Sequence, residues 1–373
     1  MNEMLSSRQI MILVLLFMVG TTILVVPSAL ANEAKQNAWI LQIVGTSIGL
    51  LFLALYILIF KRNKGLNLFQ MNERLFGRWL GKGISLLITF AIMIICAQVL
   101  FYIGSFITTQ IMPDTPVEAI HVLFIITAML GANFGIANLA RTAEIFFPWI
   151  ILLFVMFILL IMPEVKPEML LPIGELEGMS LVRGTLQVVN YSYLPLFITF
   201  AAFNSTLVWK PGIGKAFVIG GLLSGIFLMI LVLVSTMVLG PANSETQIYP
   251  TYVLARKINV GNFLQRIEVI VAFLWFVFVY FKLTLYFYAM MTGFGEVFQL
   301  PNQGKILCFP LGMITSVLSL VVYPNFVYKT KWDTTTWTSE AILLGLLYPL
   351  LILVMTTYKN KKASTITASG PNK

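Results

Sequence analysis

Two apolar stretches of this sequence carry polar, helix-breaking residues at their centres, and those residues could hold a small solute. Gly20-Thr21-Thr22 interrupts the run from Ile10 to Pro27-Ser28. Glycine lets the backbone leave the helix and puts no side chain over a ligand. The two threonines add hydroxyls, and the half-helix beyond them offers free N–H groups to an anion such as a carboxylate. Asn190-Tyr191-Ser192-Tyr193-Leu194-Pro195 interrupts the run from Leu186 to Phe203. Pro195 cannot donate to the Tyr191 carbonyl and kinks the helix there. Freed carbonyls, Ser192 and two tyrosine rings would complete a polar pocket with aromatic walls. The bland alternatives are a glycine used for close helix packing and a proline kink repaired by Ser or Asn side chains. Breaks at matching positions favour the ligand reading, because non-helical backbone in a bilayer is tolerated only where it lines a protein-enclosed cavity.

Other polar residues fall at membrane depth. Gln98, Tyr102, Ser105 and Thr109 follow one another at helical spacing and share one face. They read equally as a cavity wall with Tyr102 as a gate, or as helix–helix hydrogen bonding. Lys282 lies near the middle of an apolar helix, where a charge costs at least about 2.5–3.5 kcal/mol and is a functional candidate by default. Within a transporter-like scaffold a fixed ammonium could replace a coupling sodium ion, or the group could titrate, since desolvation lowers a lysine pKa. Snorkelling is the bland alternative, but from mid-helix the route to an interface is long. Glu268 is 14 residues away, about 21 Å along a helix, and is no partner. Thr284 sits between Tyr280 and Tyr288 and could reach the same pocket. His121 begins a helix near an interface and reads as structural. Cys96 and Cys308 both fall in apolar spans, without metal-ligand spacing, and read as small core residues.

The elements that must position these residues are membrane helices. Of the 373 residues 59% are hydrophobic and 10% charged, with mean hydropathy +0.91. A soluble chain carries about 25% charged residues. Ten stretches supply the roughly 20 apolar residues a span requires. They lie near 8–26, 39–60, 82–110, 119–138, 143–162, 183–207, 213–240, 262–293, 304–323 and 339–358. Two repeats, 8–162 and 183–358, each open on an interrupted helix. An odd number of spans inverts the second repeat, which gives an all-α, five-plus-five inverted-repeat (LeuT-like) fold with helices 1 and 6 broken. Residues 1–358 form one polytopic domain, and 359–373 read as a disordered polar tail.

With a cytoplasmic N-terminus, 15 of the 24 basic residues fall on the inner side and 8 on the outer, with Lys282 in the membrane. That bias gives cytoplasmic N and C termini. The net charge of +9 then faces anionic lipid headgroups rather than nucleic acid. The outer segment from Tyr249 to Lys257 reads as a short helix over the mouth of a cavity. Arg8 and Ala29-Leu30-Ala31 superficially suggest a cleavable signal. The apolar run of about 17 residues is longer than such signals use. There is no phosphate-binding loop, nucleophile elbow or zinc-binding pair, so the sequence points to no enzyme, cofactor or metal.

Several short motifs occur in a telling order: Leu5-Ser6-Ser7-Arg8-Gln9, Gly20-Thr21-Thr22-Ile23, Pro27-Ser28 and Gln36-Asn37-Ala38-Trp39-Ile40. Tyr249-Pro250-Thr251, Arg256-Lys257-Ile258 and Tyr323-Pro324-Asn325 follow. Over nearly its whole length the chain resembles the permease-like B subunits of bacterial spore germinant receptors, within the amino acid–polyamine–organocation transporter superfamily. The resemblance implies a subunit in the spore inner membrane, with a membrane-bound A subunit and a lipoprotein C subunit as partners. It implies a small nutrient ligand, an amino acid or a sugar, whose binding starts germination. By analogy with the superfamily it places the pocket at Gly20, Thr21, Tyr102, Tyr191, Leu194 and Thr284. No acid at mid-membrane depth is evident to neutralise an amine, which leaves a sugar open. The rival readings are a symporter or exchanger moving amino acids through the same pocket, and an ion or water conduit.

Overall fold

Every regular element among the described residues is helical, because lipid leaves no backbone polar group another way to be paired along a single segment. The computed structural model describes residues 5–207, 209–210, 212–258 and 267–368. Ser6 opens the first helix with a capping box: its hydroxyl accepts from the Gln9 N–H at 3.1 Å, and the Gln9 side chain accepts from the Ser6 N–H at 2.9 Å. That helix, α1 (Ser7–Val19), stops at Gly20-Thr21, and α2 (Thr22–Ala34) continues beyond the break. Next come α3 (Ala38–Arg62), the short α4 (Leu68–Phe76), α5 (Arg78–Gln110), α6 (Val117–Phe134) and α7 (Ile136–Ile161).

The second half repeats the device. α8 (Gly178–Val188) passes into a π-helical turn at Val189–Tyr193, and α9 (Leu196–Ala202) resumes after Pro195. The chain continues through α10 (Ile213–Leu239), α11 (Pro241–Thr246), α12 (Pro250–Arg256), α13 (Glu268–Val297) and α14 (Cys308–Val321). It closes with α15 (Phe326–Thr334), α16 (Thr336–Ile342), a second π turn at Leu343–Leu347, and α17 (Tyr348–Ala368).

Among the described residues, eight helical segments are long and apolar enough to cross a membrane. The two expected spans missing from that number are the interrupted ones, whose pieces are individually too short: 13 residues in α1, and 11 and 7 in α8 and α9. Three boundaries differ from the sequence expectation. α6 runs into α7 across Gly135, whose φ of 90° suits glycine and allows a turn of one residue. The loop expected just before residue 143 is therefore helix. The span expected from 262 begins at Glu268, residues 262–266 lying outside the described ones. The closing helix passes Lys359, where a disordered tail was expected, and reaches Ala368. A backbone that can bond to itself gains from continuing a helix past the last apolar turn.

α13 is the axis of the bundle. It packs on α1, α5, α6, α7, α9 and α12, and nearly every residue from Val271 to Gly295 is buried. Trp275, Phe278, Phe281, Tyr286 and Phe287 fill its surround. Proline-freed carbonyls fasten other helices to one another. Pro27 lies within α2 and leaves the Ile23 carbonyl without its N–H partner. The Thr251 hydroxyl, on α12, donates to it at 2.6 Å. Pro349 does the same to Gly345, and the Tyr56 hydroxyl from α3 donates to that carbonyl. Each bond replaces one the helix cannot make.

Thr251→Val and Tyr56→Phe each orphan a buried carbonyl, at about 1–3 kcal/mol. Both should lower the melting temperature of the purified protein in detergent. Ser47→Ala, which removes an exposed hydroxyl that bonds its own helix, should not.

Candidate ligand-binding site

Lys282 joins the two helix breaks. From α13 its Nζ donates to Thr21 Oγ1 at 3.2 Å and to the Tyr191 carbonyl at 3.5 Å. The second acceptor is the carbonyl that Pro195 frees, so an ammonium stands where the helical N–H would have been. Its Nζ also lies 5.3 Å from the centre of the Phe17 ring, on α1. Gly20 makes this approach feasible, since a Cβ there would stand 2.4 Å from Lys282 Cδ. The side chain is 4% exposed, and no carboxylate lies against it among the described residues.

Beside it lies a narrow cavity of about 80 Å³, smaller than the sites that hold drug-sized ligands. Thr21, Thr22 and Tyr191 come from the breaks, Gln98 and Tyr102 from α5, and Lys282 and Tyr286 from α13. Tyr323 from the connection between α14 and α15, Lys329 and Asp333 on α15, Trp337 on α16, and the apolar Val25, Ile95 and Val99 make up the rest of the lining. Lys329 and Asp333 form an ion pair at 2.7 Å, one helical turn apart. The Lys329 Nζ also sits 4.3 Å from the centre of the Tyr102 ring. Burial pushes the Asp333 carboxyl above its ordinary range, against the downward pull of Lys329. Tyr249, just ahead of α12, packs edge-on against Tyr102 and Phe106, and burial raises its phenol to about 12.

Three donors lining this cavity have no partner: Gln98 Nε2, Tyr102 Oη and Trp337 Nε1. Buried donors are rarely left unpaired, because each costs about 1–3 kcal/mol. Two ammonium groups, one carboxylate and three open donors make a lining that fits an acceptor-rich, zwitterionic molecule. An anionic end would meet Lys282, Lys329 and the open donors; a cationic end would meet Asp333.

The structure thus gathers Thr21, Thr22, Tyr102, Tyr191 and Lys282 around one space. Thr22 spends its hydroxyl on the Met18 carbonyl at 3.0 Å. Gly20 sits behind Lys282. Ser192 is fully buried within the π turn and does not line the cavity. Leu194 packs on Gly345 and lines a smaller adjoining space, which shares Ile95 and Trp337 with the main one. Thr284 faces Gly131 and α6, away from the cavity. Ser105 and Thr109 extend the α5 stripe beyond it, Thr109 donating to the Ser105 carbonyl at 2.7 Å. His121 pairs with Ser319 at 2.8 Å, in a packing role. The short helix expected within Tyr249–Lys257 is α12, none of whose residues lines the cavity.

Sequence reasoning missed Lys329, Asp333 and Trp337, and with Asp333 the acid that could neutralise an amine. The spans expected at 304–323 and 339–358 leave this segment as a connection between them. Asn325 in fact caps α15, accepting from the Tyr328 N–H at 2.8 Å. An Asn followed by Lys and Asp four apart was the available signal.

Asp333→Ala would leave the Lys329 ammonium buried and unpaired, a loss of about 3 kcal/mol. Lys329→Met with Asp333→Leu should cost less. Thermal melting of the three purified variants checks the order.

The chain matches the model of a family described as "Spore germination protein" over residues 4–327. It is 25% identical over 362 residues to spore germination protein KB of Bacillus subtilis (strain 168), covering 96% of this chain and 95% of that one. It is 26% identical over 336 residues to the putative spore germination protein YfkT of the same organism, covering 88% and 89%. Spore germination protein B2, also from that organism, is 20% identical over 329 residues, covering 86% and 87%.

Proposed function

Because the chain belongs to the spore germination protein family, we propose that it is the nutrient-sensing membrane subunit of a spore germinant receptor. Its ten helices, two of them broken, form inverted five-helix repeats with both termini in the cytoplasm. A membrane-bound A subunit and a lipoprotein C subunit read its state. The ligand is a small nutrient held in the cavity between the two breaks, and it shifts a conformational equilibrium by binding one state better than another.

One observation supports this most: a single cavity collects both helix breaks, two ammonium groups, a carboxylate and three donors without partners. The paired charges favour an amino acid over a sugar, since a sugar would leave Asp333 and the ammonium groups without new counter-charges. The same cavity also suits an amino-acid symporter or exchanger, because fold does not fix function. Lys282 argues for sensing. Its amine, tied to both breaks by hydrogen bonds, takes the place that a coupling ion would otherwise enter and leave.

Spores carrying Gln98→Leu or Asp333→Asn, with subunit abundance confirmed by immunoblot, test this reading. The half-maximal concentration of one amino-acid germinant should rise about tenfold or more per lost contact. Unchanged dose–response curves at normal abundance would refute the pocket. Uptake of that amino acid by vesicles holding this chain alone would favour the transporter.

A further inference from the structure

A second opening, at the lysine-rich end of the bundle, has a different chemistry. It is a groove between α3 and α10 of about 960 Å³. Four lysines line it: Lys61 at the end of α3, Lys64 just beyond, and Lys210 and Lys215 around the start of α10. All four are exposed, none is paired with a protein acceptor among the described residues, and no acid lines the groove. Four like charges this close are held together against their mutual repulsion, which an anion would relieve. Gly212 leaves the first turn of α10 without a side-chain cap, so its N–H groups add to the positive field. A Cβ on Gly214 would come within 3.7 Å of Lys61 Nζ, so this turn and that ammonium face the same space.

Below the lysines the groove becomes apolar. Ala54 and Ile57 on α3 face Val218 and Ile219 on α10. Ala54 precedes Lys61 by seven residues, about 10 Å down the helix. Trp209 stands at the mouth with its indole N–H on Asn204 at 2.9 Å, in the manner of aromatic residues at a membrane interface. Ammonium groups over an apolar slot between two spanning helices complement an anionic headgroup above an acyl chain. A soluble phosphate would use the lysines and leave the slot empty.

We propose that the α3–α10 groove binds one phospholipid with a net negative headgroup, its phosphate among Lys61, Lys64, Lys210 and Lys215 and an acyl chain against Ala54, Ile57, Val218 and Ile219. The lipid bridges the two halves of the chain, since α3 follows the first break and α10 follows the second.

Native mass spectrometry of the detergent-purified protein, titrated separately with dioleoyl phosphatidylglycerol and dioleoyl phosphatidylcholine, tests this. One phosphatidylglycerol adduct should survive activation that strips phosphatidylcholine. Replacing all four lysines with Gln should weaken that adduct roughly tenfold or more. Ala54→Trp, which keeps every charge and fills the slot, should weaken it too, and it decides the matter if the quadruple variant melts early. Equal retention of the two lipids, an adduct untouched by Ala54→Trp, or equal stabilisation by glycerophosphoglycerol without tails would overturn the proposal.

Discussion

A backbone carbonyl released inside a bilayer has no water to turn to, and this chain releases several by placing proline within its spans. Much of the architecture follows from where those carbonyls find donors. Ile23 is served by Thr251, Gly345 by Tyr56 and Tyr191 by Lys282. In each case the donor comes from a distant part of the chain. The repair of a local defect thereby becomes a tertiary contact, one that specifies which helices meet and in what register. Hydrophobic burial alone could not do this, because lipid tails are as apolar as leucine.

Of these repairs, only the one by Lys282 uses an amine. A hydroxyl would satisfy the Tyr191 carbonyl with less desolvation. The ammonium reaches Thr21 as well, and so holds the two interrupted helices to the axial helix α13 at one point. Its carbon stem lies over Gly20, and the ring of Phe17 flanks its head. The cavity opens immediately beside this junction. On the proposed reading, a ligand carboxylate would compete with Thr21 and Tyr191 for the same ammonium. Occupancy and the relative placement of the half-helices would then be coupled by shared bonds.

The broad architecture was legible because hydropathy and helix-breaking residues are one-dimensional signals. The apolar runs, the glycine at position 20 and the proline at 195 mark spans and breaks without any tertiary knowledge. Tyr102 and Gln98 could be placed on one face by spacing alone. What spacing could not settle was rotation: Thr284 lies two residues from Lys282, a step of about 200° around a helix, and it points to Gly131 instead of the cavity. Lys329 and Asp333 escaped because their helix is short and polar, so its composition resembles a surface loop. Its burial comes from Tyr102, Tyr323 and Phe326 folding over it. Of these, Tyr102 on α5 is far away in sequence, and its cover cannot be read from the local composition.

The ion pair on α15 has one more implication. Lys329 and Asp333 already satisfy each other, so a visitor carrying only a carboxylate would strip Lys329 from its partner and strand a buried acid. One carrying only an amine would strand the ammonium. A molecule bearing both, at the separation the pair presents, exchanges one complete set of contacts for another. The site would then act as a coincidence detector, rejecting abundant inorganic ions and simple acids or amines, each of which can satisfy half of the pair.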